Sequence, residues 1–155
     1  MRAKVEIRPA TADDIAPIVA RIRESDRREC LAQTLLQPAD AIAFVLGKSS
    51  QAWAGTVDGA AVCLFGVFPS TLVTPDHGRP WMVGTDAVET YQRAFLRRNR
   101  AIISEMKSRY SVLENWVDMR NDTSRKWLAW LGFTIHDAEP HGPLGRPFHR
   151  FTLGA

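Results

Sequence analysis

The sequence is poor in cysteine and contains no long apolar run. Cys30 and Cys63 are the two cysteines among 155 residues, too few for the disulfide framework of a small secreted domain. No stretch approaches the roughly 18 to 20 apolar residues of a membrane-spanning helix. Residues 1–4 lead directly into a predicted strand, without the apolar segment of a secretory signal. We therefore expect a cytoplasmic protein that does not cross a membrane.

Two classes of ligand find little support in the composition. The four histidines, His77, His136, His141 and His149, lack the spacing to cysteine or carboxylate partners that a zinc site requires, so no metal site is predicted. The formal net charge is +3, which suits a polyphosphate ligand or a weak contact with nucleic acid. Because a mildly basic surface explains this charge more simply, nucleic-acid binding is not expected.

What the sequence does contain is the material for one hydrophobic core. Hydrophobic residues make up 45% of the chain and charged residues 24%, proportions typical of a globular protein rather than a disordered one. A chain of this length usually folds as one domain and buries about two thirds of its unfolded surface. No internal repeat or linker is visible. We therefore predict a single domain over residues 1–155, of mixed α/β class.

Hydrophobic periodicity and turn residues divide the chain into strands and helices. Strands are predicted at residues 5–8, 51–57, 61–68, 80–84, 112–117, 133–135 and 148–153. Helices are predicted from Thr11 or Asp13 to about residue 22, and at residues 26–36, 38–46, 86–110 and 123–131. Asp58-Gly59 predicts a type I′ hairpin turn. Residues 69–79 and 140–147 are rich in proline and glycine and are predicted to form loops.

The clearest pattern is a strand, a capped helix and a second strand within residues 113–133. Asn121, Asp122 or Thr123 can accept hydrogen bonds from the free amides that open the helix. The apolar residues of the helix form one broad face: Trp127, Leu128, Trp130 and Leu131. Gly132 ends the helix, because glycine tolerates the left-handed C-terminal turn.

This block resembles the last conserved segment of the GNAT acyltransferase superfamily, in which an Asn opens a helix that ends in Gly-Phe. The matching residues are Asn121, Ser124, Trp127-Leu128 and Gly132-Phe133. Residues 7–11, with Asp13-Asp14, resemble the opening strand and first helix start of that superfamily. The resemblance implies a mixed central sheet flanked by helices, with acetyl-CoA as the cofactor. It also implies that the strand ending near Gly84 and the strand of residues 113–117 lie side by side and splay apart around the cofactor arm.

The resemblance implies cofactor contacts for six residues: Met82, Val83, Gly84, Thr85, Asn121 and Ser124. Two departures from the superfamily pattern accompany it. The loop that should hold the pyrophosphate, residues 84–90, contains one glycine and two carboxylates, Asp86 and Glu89, which repel a polyphosphate. Leu128 occupies the position of the Tyr that many members use as general acid. The phosphate loop is therefore degenerate, and the usual acid is missing.

The acceptor side of the site is expected on the helices between the first two strands. Glu29 is a candidate general base there and Cys30 a candidate nucleophile, although no histidine is adjacent in sequence to activate the thiol. The charged run of residues 26–30 is, however, more typical of a solvated helix face. Asn121 is the second candidate catalytic residue, with helix capping as its alternative role. The acceptor of an enzyme of this type is an amine on a small molecule or a protein.

A narrower resemblance covers most of the chain. Residues 26–30, 81–86, 113–115 and 127–133 resemble a family of short tailed-phage proteins that includes internal virion proteins and contains GNAT-like domains. This implies a phage or prophage origin. Two hypotheses follow: an N-acetyltransferase in the host cytoplasm, or a non-catalytic virion or assembly protein whose partners are phage structural proteins. The sequence predicts no oligomeric state.

Overall fold

The computed structural model describes residues 2–71 and 73–154; Leu72, within the predicted loop of residues 69–79, lies outside them. The strands are β1 (Val5–Pro9), β2 (Gln51–Val57), β3 (Ala60–Pro69), β4 (His77–Gly84), β5 (Val112–Asp118), β6 (Thr134–His141) and β7 (Arg146–Leu153). The helices are α1 (Ile15–Ala20), α2 (Glu24–Thr34), α3 (Pro38–Lys48), α4 (Asp86–Thr90), α5 (Gln92–Arg109) and α6 (Asp122–Trp130). A 3₁₀ turn, Ala12–Asp14, precedes α1.

These strands form one mixed sheet in the order β1-β2-β3-β4-β5-β7-β6. β4 and β5 are parallel, and the other neighbours are antiparallel. On one face, α1 and α3 pack on the sheet through Ile18, Ile42, Leu64 and Val83. On the other face, α5 and α6 pack on it through Phe65, Phe95 and Trp127. Burial of these apolar side chains holds the three layers together, and the predicted fold class is confirmed.

β4 and β5 pair only at their first residues. The pairs are His77 with Val112 and Gly78 with Leu113. Pro80 has no N–H to donate to a ladder, and its carbonyl accepts a hydrogen bond of 2.8 Å from Nδ2 of Asn115 instead. The two strands therefore splay apart toward their C-terminal ends, as predicted.

Four helical predictions need correction. α1 ends at Ala20, so Ile22 lies beyond it, in an isolated bridge to Thr85. α2 begins at Glu24, two residues before its predicted start. The predicted helix of residues 86–110 is two helices, because the backbone leaves the helical region at Tyr91 (φ −105°, ψ 24°). Trp130 is 46% exposed rather than part of the buried face of α6.

Two predicted loops are shorter than expected, and one predicted turn is confirmed. β4 begins at His77, so it includes the last residues of the predicted loop 69–79. β6 and β7 extend into residues 140–147 and leave only a tight turn between them. Pro140 is tolerated because β6 is an edge strand, where a missing N–H need not remove a ladder bond. Asp58 and Gly59 adopt φ angles of 49° and 85°, as a type I′ turn requires.

No single helix in the described residues is long and apolar enough to cross a membrane. α2 and α3 reach the length and apolar composition of a membrane-spanning segment only when they are taken together, and the two helices meet at a bend of 71°.

Candidate functional site

The opening between β4 and β5 receives main-chain groups from β4. In the antiparallel register with β3, successive residues of β4 direct their N–H and C=O groups alternately toward β3 and away from it. Gly84 directs both groups away from β3, because they bond to Asp26 and to Arg23. Met82, two residues earlier, therefore directs its N–H and C=O into the opening. Val83, which lies between them, directs its N–H and C=O toward β3.

A buried cluster of charged groups, the Arg23 cluster, lies at the C-terminal end of β4. Arg23 and Asp26 are each 2% exposed, and Arg23 donates to the carboxylate from Nε at 2.9 Å and from Nη2 at 2.8 Å. Oδ2 of Asp26 also accepts from the N–H of Gly84 at 2.8 Å. Nη1 of Arg23 donates to Oε1 of Glu89, and Nη2 to Oγ of Ser124, both at 3.2 Å. The cluster joins the start of α2 to β4, α4 and α6.

Three of the six residues with predicted cofactor contacts are thus hydrogen-bonded within the protein. Gly84 and Ser124 belong to the Arg23 cluster. Thr85 donates its N–H and its hydroxyl to the carbonyl of Val62, at 2.9 and 3.0 Å. Cofactor binding by these three residues stays a prediction. Met82 is the residue of the set whose main chain the fold directs into the opening.

Asn121 caps α6, as predicted, and also carries a free donor. Its Oδ1 accepts from the N–H of Ser124 at 3.2 Å. Asn121 is 3% exposed, and its Nδ2 is buried without a hydrogen-bond partner. Leaving a buried donor unsatisfied costs about 1 to 3 kcal/mol. Capping therefore explains only the oxygen of this side chain, and Asn121 is not among the residues that line the cavity at the opening.

Glu29 lies on α2 and lines the same cavity as Met82 and Ser124. Its Oε1 accepts from the N–H of Asp118, the last residue of β5, at 2.6 Å. Burial raises the pKa of Glu29 from 4.5 to about 8; the hydrogen bond from Asp118 opposes this rise, and the negative charges of Asp26 and Asp118 add to it. A carboxyl group with this pKa can exchange protons near neutral pH, as a general base must. The structure thus brings the predicted base to the opening.

The cysteines lack the properties of a nucleophile. Cys30 lines the cavity, but burial raises the pKa of its thiol to about 12. Cys63 is buried as well, and burial raises its pKa to about 12. Both thiols are therefore protonated at neutral pH, where only a thiolate would attack. Within residues 2–71 and 73–154, no three His, Cys, Asp or Glu side chains are grouped to hold a metal ion.

One cavity of about 180 Å³ passes through the opening between β4 and β5. Its lining comes from both faces of the sheet, with Glu29 and Ile42 on the side of α2 and α3, and Met106 and Leu128 on the side of α5 and α6. Mostly apolar concave sites with a few polar groups are the usual form of small-molecule sites. The cavity therefore reaches both faces of the sheet through the opening.

No tyrosine replaces the missing general acid in this cavity. Leu128 lines it and has no ionisable group. Trp127 is 8% exposed and donates from Nε1 to Oε1 of Gln92 at 3.0 Å. Neither Tyr91 nor Tyr110, both among the described residues, is part of the lining. A leaving group in the opening must obtain its proton from another source.

Arg23 is the residue of this site that the sequence did not reveal. The local signal is an arginine three residues before an aspartate. Because this spacing is common in exposed ion pairs on helices, it does not indicate a buried cluster. The expectation of a solvated face for residues 26–30 is wrong for Asp26, which is buried. It holds for Arg27 and Arg28, which are exposed.

The structure is similar to solved acetyltransferases along its whole length. A GCN5-related N-acetyltransferase from Kribbella flavida matches with a TM-score of 0.70 and 13% identity over 97% of this chain and 98% of that chain. An N-acetyltransferase from Staphylococcus aureus Mu50 matches with a TM-score of 0.69 and 16% identity over 97% and 98%. A proposed acetyltransferase from Salmonella typhimurium, solved with its cofactor acetyl-CoA, matches with a TM-score of 0.67 and 15% identity over 97% and 94%. No protein-family model and no curated protein matches the chain. At these identities the similarity shows the fold.

Proposed function

We propose that this protein, which has the fold of the GNAT N-acetyltransferases, transfers an acyl group from an acyl-CoA thioester to an amine. The observation that best supports this proposal is the opening between β4 and β5, into which Met82 directs its N–H and C=O. The extended arm of coenzyme A carries amide N–H groups, one of which can donate to the carbonyl of Met82, much as an added strand would. The neighbour from Salmonella typhimurium, with its bound acetyl-CoA, supports the choice of donor.

Two groups of the chain take part in the proposed reaction, the N–H of Met82 and the carboxylate of Glu29. The amine nitrogen attacks the thioester carbonyl carbon, so that a C–N bond forms and the C–S bond breaks. The N–H of Met82 is available to the carbonyl oxygen, on which negative charge develops. Glu29, as the carboxylate, takes the proton that the amine loses. Because Leu128 stands where the usual acid would be, the leaving thiolate takes its proton from water.

The two ends of the cofactor fit this chain differently. The arm fits the opening between β4 and β5, where the main chain of Met82 faces away from β3. The phosphate end fits poorly, because Gly84 already bonds to Asp26 and Glu89 places a negative charge on α4. We therefore propose that the arm supplies most of the affinity and that acetyl-CoA binds weakly. The compartment we propose is the cytoplasm, where acyl-CoA thioesters are formed.

Mass spectrometry of the products tests this function. The full chain is incubated with acetyl-CoA and a panel of polyamines, amino acids and lysine peptides at pH 8. We expect acylation of at least one amine, and a rate about 100-fold lower or more for Glu29→Gln, since a general base contributes roughly that factor. Glu24→Gln, an exposed neighbour on α2, is the matched control and should keep the parent rate. Equal rates for the parent and Glu29→Gln would contradict the role of Glu29.

A second candidate function is the non-catalytic virion or assembly protein. The observation that favours it is the Arg23 cluster, in which the carboxylates of Asp26 and Glu89 form ion pairs with Arg23 beside the end of β4. This candidate would be favoured if the parent protein neither binds acetyl-CoA nor acetylates any amine of the panel. Its partners would then be phage structural proteins, and direct binding to purified virion proteins would test that role.

A further inference from the structure

An apolar slot extends from the opening into the space between α5 and α6. We define the α5–α6 slot by five residues that line the cavity: Leu96, Ile103, Met106, Leu128 and Leu131. On α5 the lining residues recur every three or four positions, as one face of a helix does, and the same holds on α6. The buried ring of Phe151 from β7 contributes to the lining as well. The slot lies on the face of the sheet opposite Glu29.

A second cavity of about 10 Å³, the size of one water molecule, adjoins the large one. It is lined at one end by Val88 of α4 and Gln92 of α5. It shares Met82, Leu96, Asn99 and Trp127 with the large cavity. We assign the donor arm to the line of these residues, from the start of α5 past Met82 to the α5–α6 slot, and call this line the path of the arm. The leading end of an arm on this path reaches the slot.

The polar group on this path is the carboxamide of Asn99. Its Oδ1 is buried and has no hydrogen-bond partner, and it lies where the two cavities meet. Such an atom can accept from an N–H of a ligand. The amides of the coenzyme A arm supply that donor. The slot beyond Asn99 has apolar walls and offers its occupant dispersion contacts and burial.

Resting on the proposed function, we propose that the acyl group of the donor is a straight aliphatic chain of about four to six carbons, held in the α5–α6 slot. An engineered apolar cavity of about 150 Å³ accommodates benzene, with six carbons. The cavity here measures about 180 Å³ over both faces of the sheet, so six carbons are the upper limit for the part of it that forms the slot. The chain and the amine then approach the thioester from opposite faces of the sheet, and Glu29 stays on the side of the amine.

Calorimetric titration of the full chain with a series of thioesters tests this proposal. The series is acetyl-, butanoyl-, hexanoyl- and decanoyl-CoA. Each buried methylene adds up to about fourfold in affinity, so we expect hexanoyl-CoA to bind at least about tenfold more tightly than acetyl-CoA. Decanoyl-CoA should bind no more tightly than hexanoyl-CoA. Equal affinities for acetyl- and hexanoyl-CoA would overturn the proposal.

Slot-filling variants locate the chain. Leu131→Phe should remove the tighter binding of hexanoyl-CoA relative to acetyl-CoA, and Ile103→Phe serves in its place if Leu131→Phe fails to fold. Leu144→Phe makes the same substitution at an exposed position of the β6–β7 turn and should behave like the parent. An advantage that survives both slot variants would place the chain elsewhere and overturn the proposal.

A probe without coenzyme A separates this proposal from the proposed function. We expect 1-hexanol to raise the melting midpoint of the parent and of Leu144→Phe but not of Leu131→Phe. If no thioester binds while 1-hexanol does so, the proposed function fails and the slot stands as a site for a six-carbon chain. If neither hexanol nor hexanoyl-CoA stabilises the parent, the slot proposal is overturned.

Discussion

The carboxylate of Asp26 accepts a hydrogen bond of 2.8 Å from the amide of Gly84, 58 residues further along the chain. The main-chain N–H of Arg23 returns a bond of 2.9 Å to the carbonyl of Gly84. Together these contacts fasten the start of α2 to the end of β4. They use the main-chain groups with which β4 could otherwise hold the outer part of a cofactor. Under the proposed function, the opening remains for the arm, while protein contacts take up main-chain groups at the phosphate end.

Arg23→Ala should lower the free energy of unfolding by about 3 to 5 kcal/mol, because it leaves the buried carboxylate of Asp26 without its partner. Arg27→Ala removes the same side chain from an ion pair with Glu24 that is at least half exposed and should cost no more than about 1 kcal/mol. Urea unfolding of the three proteins measures both values. Similar stability of Arg23→Ala and Arg27→Ala would show that the Arg23 cluster does not stabilise the fold.

The two tryptophans of α6 provide a matched pair for the core. Trp127 is 8% exposed and packs with Phe95 and Val88, so Trp127→Ala should cost about 3 to 5 kcal/mol. Trp130 is 46% exposed and stacks under Arg100, whose guanidinium carbon is 4.0 Å from the ring centroid. Trp130→Ala should therefore cost about 1 kcal/mol or less. Thermal melts in which the two variants lose equal stability would show that the inward face is assigned wrongly.

The sequence predicts those parts of the fold that depend on local chemistry. Asn121 could be predicted as a cap because a helical pattern begins directly after it. Gly132 could be predicted as a helix end because glycine tolerates the left-handed region, and it does adopt a φ of 101°. The interruption at Tyr91 could not be predicted, because helical periodicity continues on both sides of it. Pro140 suggested a loop, and its place in a strand depends on β6 being at the sheet edge, which is a tertiary property.

The site is less predictable than the fold for the same reason. Glu29 could be named from its position in the chain, but its raised pKa results from burial and from two aspartates brought close by folding. The direction of the Met82 main chain follows from the strand register, which composition does not reveal. Arg23 contacts Ser124, 101 residues away, and no pattern within α2 indicates that contact.

Removal of one charge from α4 should strengthen cofactor binding. Glu89 is about 40% exposed on its side chain, and its Oε1 lies 3.2 Å from Nη1 of Arg23. Glu89→Gln removes a repulsion of roughly 1 kcal/mol toward a nearby phosphate, so the affinity for acetyl-CoA should rise about fivefold. Calorimetry at low and high salt should show that the gain shrinks as salt screens the charge. Glu105→Gln, at the far end of α5, is the control; an equal gain there would indicate only a net-charge effect.

The raised pKa of Glu29 makes stability depend on pH in a defined direction. Between pH 4.5 and about 8 the unfolded chain has lost the proton of Glu29 while the folded chain retains it. The folded state binds more protons in this window, so this group lowers stability as the pH rises through it. Glu29→Gln removes the effect. Between pH 5 and 8 the free energy of unfolding of Glu29→Gln should fall by about 2 to 4 kcal/mol less than that of the parent. Urea unfolding at each pH measures both values. Parallel pH profiles would show that Glu29 titrates normally.

The opening between β4 and β5 is the proposed site of the thioester arm. The decisive measurement is calorimetric titration with acetyl-CoA of the parent, Met82→Pro and Met82→Leu. Proline removes an N–H that bonds to no strand and is therefore compatible with this edge of β4, and leucine keeps the N–H. We expect weak but measurable binding by the parent and Met82→Leu. A folded Met82→Pro should bind about three- to tenfold more weakly, because one neutral hydrogen bond to the thioester carbonyl oxygen is lost. Equal binding by all three proteins, or no binding by the parent, would contradict the account.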